Sequence, residues 1–283
     1  MSETPCPVEA RAAAKALCGG GAVELLPISD RRGSAVWKAT APRRAVAIKA
    51  GTGEGATITA RETDVTAAIW GPARRLAHGR GPDSAWFITP WYEGPSTWTA
   101  LRAVRDGTVD PLTARTPMAE LCDAVARLHA TGWVHADLQP DHALHTEHGV
   151  QLLDCSWSWK PGSFEPSPLF PGGFVHLLSP ELAASVEAGR RPVAPSHTDE
   201  TYTLAAGLWW ALTGAWPLDY AAVGIHPEQL DASGLRRVIG RRRLPLSKAS
   251  VWPAAQRELR VVLAASPQYR PSAAELGERL RSC

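Results

Sequence analysis

Two parts of the 283-residue chain hold side chains suited to moving a phosphoryl group. Val46-Ala47-Ile48-Lys49 ends an apolar, strand-like run on a lysine, and Glu62 follows thirteen residues later on a predicted helix, where its carboxylate can hold the ammonium toward phosphate oxygens. A strand-end lysine alone is usually a solvated surface residue, so its weight depends on what lies downstream. There, His135-Ala136-Asp137-Leu138-Gln139-Pro140-Asp141-His142 forms a polar loop after a helix, and twelve residues past His142 the run Gln151-Leu152-Leu153 delivers Asp154. Transfer from a nucleotide to a hydroxyl needs a carboxylate to orient the acceptor, a second to hold the bridging metal, and a fixed cation on the phosphates. Asp137, Asp154 and Lys49 are of those three types, with both carboxylates expected on loops of one cleft.

The elements that must position them follow from pattern. Before residue 100, short β-like runs at 23–27, 35–39, 45–50 and 86–90 alternate with Gly, Pro and Arg-Arg punctuation, which predicts a small antiparallel sheet. One helix over 57–70 interrupts it, with Ile58, Val65 and Ile69 on one face and Gly71-Pro72 as its stop. Beyond Trp98 the pattern turns helical. Leu121, Val125 and Leu128 repeat along 118–131, and 203–213 is apolar almost all round, as a buried central helix would be. Residues 134–153 add strand-like pieces about a Glu147-His148-Gly149 turn. The predicted fold class is α+β in two lobes.

Charge and composition exclude other classes. Thirty basic against 28 acidic residues leave +2, in short alternations with no field to draw nucleic acid or anionic lipid. Neither nucleic acid nor membrane is an expected partner, since the longest near-apolar stretch, 204–212, falls far short of the ~20 residues that span a bilayer. The opening Met-Ser-Glu-Thr-Pro has no signal-peptide pattern, and the five cysteines are scattered without a Cys-x-x-Cys, so a reducing, cytoplasmic location is expected.

Taken in order, these segments resemble the protein-kinase superfamily over roughly 22–281. Ala47-Ile48-Lys49 is similar to its strand-three lysine motif, Glu62 to the helix partner, His135-Ala136-Asp137 to the catalytic-loop His-Arg-Asp, and Asp154-Cys155-Ser156 to Asp-Phe-Gly. Ser179-Pro180-Glu181 resembles the Ala-Pro-Glu that closes the activation segment, and Pro267-Gln268-Tyr269-Arg270-Pro271-Ser272 the late Pro-x-x-Arg-Pro-Ser. The resemblance implies a bilobal kinase-like unit over 1–283, with an N-lobe at 20–92, a hinge continuation at 93–97 and a C-lobe at 98–283. It implies ATP with Mg2+ (Mn2+ as an alternative), Lys49, Glu62 and Asp137 as catalytic residues, and Asp154 with His142 at the metal. It places Ser29, Gly33, Ser34, Lys49, Pro90 and Tyr92 against the nucleotide, Thr89 at the gatekeeper, and Glu181 with Arg270 in a structural ion pair. Counting along the central helix leaves either Asp199 or Glu200 as its acidic anchor.

The chain departs from the pattern at several of these places. The glycine-rich loop is reduced to Ser29, Arg31, Gly33 and Ser34, where Arg31, Arg32 or Ser34 can add phosphate donors or form an ordinary basic turn. His142 stands at the metal-binding asparagine, which puts metal preference in question, and a zinc cluster of His142, His145 and His148 is disfavoured because strand and turn would aim them apart. Ala136 removes the arginine that reads a phosphorylated activation loop, Gln139 replaces the lysine beside the γ-phosphate, and Phe174 takes a threonine's place. A static activation segment and a nonstandard acceptor are therefore expected. Trp86, Trp91 and Trp98 are read as packing, whereas Trp157 and Trp159 suit packing and substrate stacking equally. Three readings remain. The first is transfer to Ser or Thr of a peptide or protein, with a presenting partner or a lanthipeptide-like modification pathway as finer forms; the others are a small-molecule kinase and a pseudokinase binding module.

Overall fold

The structure, a computed structural model, describes residues 5–31, 33–189 and 191–283; Arg32, one of the candidate phosphate donors, lies outside the described residues. The chain divides into two compact units, the first ending at Tyr92 and the second being Glu93–Cys283.

The first unit opens on helix α1 (Val8–Leu17). Strands β1 (Glu24–Arg31), β2 (Ser34–Ala41) and β3 (Arg44–Thr52) follow as antiparallel neighbours, then helix α2 (Glu54–Trp70), then β4 (Ala77–Gly81) and β5 (Ser84–Pro90). The sheet order is β1-β2-β3-β5-β4. Period-two alternation sends Trp37, Ala39, Val46, Ile48 and Ala50 to one face, where they pack with Ala10 and Ala14 of α1. Val36, Ala47 and Lys49 are left on the other face, with Val36 directly opposite Lys49 across the strands. Three of the four expected runs lie within strands, the fourth, 23–27, overlaps β1 from Glu24 onward, and the expected helix lies within α2. Two elements were not anticipated. α1 has an alanine-rich stripe too small to stand out, and β4, Ala-His-Gly-Arg-Gly, has no β-branched residue. It forms because β5 offers it a partner, with the Trp86 ring lying where a Cβ at Gly79 would be, 2.6 Å from that point.

The second unit is mainly helical. Single turns α3 (Thr97–Ala100) and α4 (Arg102–Arg105) precede α5 (Arg115–Ala130), the hairpin β6 (Ala143–Thr146) and β7 (Gly149–Leu152), and α6 (Pro180–Glu187). Then come α7 (His197–Thr213), α8 (Ala232–Gly240), α9 (Pro253–Ala264) and α10 (Ala273–Arg281). α7 begins six residues before the expected start because Ser196 and Asp199 form a reciprocal capping box, satisfying backbone N–H groups that the helix start would strand. It ends where expected, on left-handed Gly214 at φ 72°. Most of α7 is buried, polar Asp199, Glu200 and Thr201 included. No helix among the described residues is long and apolar enough to cross a membrane.

Glu181, in the first turn of α6, pairs with Arg270, whose side chain is fully buried, lies 4.9 Å above the Tyr202 ring and also donates to the Thr198 carbonyl at 3.1 Å. Exposed Arg242 meets the same carboxylate at 2.7 Å. A buried charge stripped of its partner is costly, whereas an exposed one rehydrates. Glu181→Ala is therefore expected to lower unfolding stability by about 3–5 kcal/mol and Arg242→Ala by at most about 1 kcal/mol, read from urea denaturation. Small, equal losses would show that the pair does not anchor the fold.

Candidate functional site

In the first unit, Lys49 Nζ and Glu62 Oε2 stand 2.7 Å apart, with both side chains largely buried. The strand end and the helix face expected to supply them thus do so. Ser34 is tied into the same framework: its hydroxyl donates to the Ala50 carbonyl at 3.4 Å and lies 3.1 Å from Thr59 Oγ1. β1 and β2 stay paired out to Arg31 and Ser34, so the hairpin tip is short. Gly33 sits at φ 73° and accepts from the Thr52 amide at 2.9 Å, and a Cβ on Gly55 would lie 2.1 Å from the Gly33 carbonyl oxygen. The backbone at Gly33 thus approaches the start of α2 so closely that Gly55 can carry no side chain, while Gly33 itself is suited by its positive φ. Ser29 follows a break in the β1–β2 register and borders a cavity with Cys6, Arg11 and Trp37. Pro90 ends β5 opposite Val46, and Tyr92, under the Arg74 guanidinium at 5.0 Å, closes the unit.

In the second unit the structure brings Asp137, His142 and Asp154 together. The loop carrying them hangs from Glu200, which the sequence left level with Asp199. Glu200 Oε1 accepts from the Ala136 amide at 2.7 Å, and Oε2 accepts from the His135 amide at 3.0 Å and the His129 ring at 2.8 Å. Burial would raise this carboxyl, but the hydrogen bond from His129 and the nearby histidines and amide outweigh it and hold the group below the ordinary carboxylate range. Asp199, one residue earlier, points elsewhere: it takes the Ser179 hydroxyl at 2.5 Å and completes the capping box of α7. Ala136 is thereby held at φ 69°, a left-handed conformation that alanine otherwise avoids.

His135 is fully buried and uses both ring nitrogens. Nε2 donates to the Leu153 carbonyl at 2.9 Å, just before Asp154, and Nδ1 accepts from the Asp137 amide at 3.3 Å. That pattern requires a neutral ring, and burial lowers its pKa accordingly. Asp137 Oδ1 accepts from Gln139 Nε2 at 2.9 Å, so the residue at 139 fixes this carboxylate with a neutral donor. Sequence spacing gave no sign of that bond, nor of His129 as the third donor to Glu200.

His142 meets a chemical test for metal binding. A carbonyl only accepts, so the 2.8 Å contact between His142 Nδ1 and the Asp137 carbonyl places the proton on Nδ1. Nε2 then faces Asp154 Oδ2 at 3.4 Å, a geometry that favours a proton or a cation between the two. Asp154 itself sits at φ 53°. Among the described residues no cluster of three His, Cys, Asp or Glu side chains is suited to a metal, so an ion here needs ligand oxygens beyond these two donors. His145 is engaged instead by Thr97 Oγ1 at 2.9 Å and by Glu120, and His148 is exposed beside Glu147, so the three histidines do not converge.

No protein-family model matches the chain. Curated relatives do. Serine/threonine-protein kinase PknK of Mycobacterium tuberculosis is 26% identical over 208 residues, covering 73% of this chain and 17% of its own length. Serine/threonine-protein kinase PkaB of Streptomyces coelicolor is 28% identical over 196 residues, 64% of this chain and 42% of its own. A putative cyclin-dependent kinase F-2 of Oryza sativa is 30% identical over 111 residues, 38% of this chain and 34% of its own. This chain is protein-kinase-like. It spans less than half the length of each of these relatives.

The segment 154–181, which resembles a kinase activation segment, is fastened by backbone and packing. Val134 and Trp159 exchange backbone hydrogen bonds at 2.9 and 3.0 Å, Ser158 Oγ donates to the His135 carbonyl at 2.9 Å, and Cys155 and Ser156 are buried. Trp157 packs edge-on to Phe170 with centroids 6.1 Å apart, and Trp159 Nε1 donates to the Pro195 carbonyl at 3.0 Å. Both tryptophans thus serve packing. Further along, His176 stacks on Trp216 with centroids 4.2 Å apart, and burial pushes its pKa down to about 4. A histidine lowered on folding contributes stability that is complete above its unfolded value of 6.5 and is lost as pH falls toward 4. His135 acts in the same direction, and Glu200 adds to the acid loss only once pH falls through its unfolded value of 4.5. The urea midpoint should therefore drop between pH 7.5 and pH 5, and His176→Phe should flatten that slope. An unchanged slope in the variant would remove His176 from the acid response.

Proposed function

We propose that the chain is an ATP-dependent phosphotransferase whose acceptor is a Ser or Thr hydroxyl of a peptide or protein. The observation that carries the reading is the set of three contacts around Asp137: Gln139 on its carboxylate, His142 on its carbonyl, and the Glu200-anchored backbone before it. A binding module has no evident need for so constrained a carboxylate.

Each residue then has a definite task. Lys49, held by Glu62, supplies a fixed cation for phosphate oxygens. Asp137 orients the acceptor hydroxyl and takes its proton as the new O–P bond forms and the bond to the leaving phosphate breaks. A divalent ion, when bound, neutralises charge on the phosphates; Asp154 Oδ2 and His142 Nε2 would hold it. The imidazole donor suits manganese or softer ions better than magnesium. A peptide-modification pathway of the lanthipeptide type, with a presenting partner, is a finer form of the same proposal, supported by the nonstandard residues at 139 and 174.

Four variants test this by thermal shift with ATP and Mg2+ or Mn2+, and by mass spectrometry of Ser/Thr peptides. Lys49→Ala should abolish stabilisation by nucleotide, and Asp154→Asn should remove its metal dependence. Asp137→Asn should retain binding while turnover falls by about 10²-fold or more. His142→Asn should move metal preference from manganese to magnesium. Nucleotide stabilisation without transfer in the unmodified chain would favour the pseudokinase reading instead.

A further inference from the structure

We infer that a half-buried aromatic surface made by Trp98, Phe174, His176, Trp210 and Trp216 receives the residues flanking the acceptor. The occupant is a peptide with aromatic or large aliphatic side chains beside its Ser or Thr and without clustered Lys or Arg. This inference rests on the peptide-acceptor reading above.

The rings are contiguous. Trp98 and Trp210 lie 4.5 Å apart centroid to centroid, Trp210 and Trp216 4.8 Å, Phe174 and Trp210 5.5 Å, and His176 and Trp216 4.2 Å. They come from four places in the sequence, α3, the activation segment, α7 and the turn after it, so no local periodicity produces the cluster. Their exposure differs from that of a core. Trp209 is fully buried, whereas its neighbour Trp210 and the other four rings are each only partly covered.

The surface also begins at the carboxylate that orients the acceptor. Gly173, at φ 75°, precedes Phe174, and a Cβ there would stand 3.9 Å from Asp137 Oδ1 and 3.5 Å from the Ala136 carbonyl oxygen. Asp137, Gly173 and Phe174 border one cavity. A chain whose hydroxyl reaches Asp137 therefore has Phe174 as a neighbour, and the other rings extend from it.

Charge selects the occupant. Aromatic faces attract cations as well as apolar groups, but here a cation is already in place: the Arg105 guanidinium lies 3.8 Å over Trp98, anchored to the Trp98 and Ala211 carbonyls. Asp106 and Asp141 lie close enough to act on the same guanidinium and balance its charge, and the other carboxylates have partners of their own. Asp141 takes the Ser96 hydroxyl at 2.7 Å, Glu187 pairs with Arg236 at 2.6 Å, and Asp199 and Glu200 are buried in their own hydrogen bonds. His176, held neutral by burial near pH 7 and 3.0 Å from the Tyr220 hydroxyl, adds no charge. What the surface offers is partly covered ring area beside a guanidinium whose charge Asp106 and Asp141 balance, which suits uncharged aromatic and aliphatic side chains.

The test uses nonapeptides centred on Ser or Thr, with Trp, Phe, Leu, Ala or Arg at each flanking position. Affinity is read by fluorescence polarisation without nucleotide, and phosphate incorporation separately with ATP and metal. Peptides with an aromatic or leucine flank should bind about tenfold more tightly than the alanine versions. Trp216→Leu and Trp98→Leu, with melting temperature checked, should erase that preference while the thermal response to ATP persists; Trp210→Phe should keep most of it. Equal affinity for aromatic and alanine flanks, preference for arginine, or full selectivity in both leucine variants would overturn the inference. Selective binding without phosphate on any peptide would sustain the surface and overturn the peptide-acceptor reading, so the two failures are distinguishable.

Discussion

The second unit depends on a single buried carboxylate. An isolated anion in the interior is strongly unfavourable, and Glu200 is tolerated because three donors, the His129 ring and the amides of His135 and Ala136, take up its oxygens. The same bonds supply the energy that keeps Ala136 left-handed, and that turn directs Asp137 toward Gln139 and sets its carbonyl before His142. Asp199, 100° further around α7, ties Ser179 at the head of α6. Two adjacent acidic residues on one buried helix thus hold the loop that carries Asp137 and the start of α6 in fixed relation. Removing either side chain would leave buried amides or a hydroxyl without a partner, which is why a polar helix start survives among apolar neighbours.

This architecture explains what the sequence could and could not tell. Lys49 with Glu62, and Asp137 with Asp154, were legible because kinase-like chemistry fixes both residue type and spacing. The choice between Asp199 and Glu200 was not. Residue counting has an uncertainty of one place, whereas one helical residue rotates a side chain by about 100°, so only the helix orientation decides which acid meets the loop. β4 was missed because its pairing comes from β5 and not from its own propensity. The aromatic cluster escaped for a similar reason. Trp157 and Trp159 drew attention by lying in a loop, yet they are tied to Phe170 and to the Pro195 carbonyl, while Trp210 and Trp216, flanking the end of an apolar helix, pass in sequence for core.

Two substitutions in the loop share one direction. Ala136 stands where the resembled family has an arginine and Gln139 where it has a lysine, so at both places fixed positive charge is lost, while His142 exchanges an amide for an imidazole. A loop without that arginine has no cation with which to read a phosphorylated activation segment. Here the segment is held by other means: Ser158 on the His135 carbonyl, the paired backbones of Val134 and Trp159, buried Cys155 and Ser156, and Trp157 against Phe170. Each of these contacts exists without any modification. Switching such a segment off would mean exposing apolar area and breaking backbone pairs together, at a cost of several kcal/mol. Under the peptide-acceptor proposal, control by access of the acceptor leaves the fastened segment intact and acts at the aromatic rings, which adjoin Asp137 through Phe174.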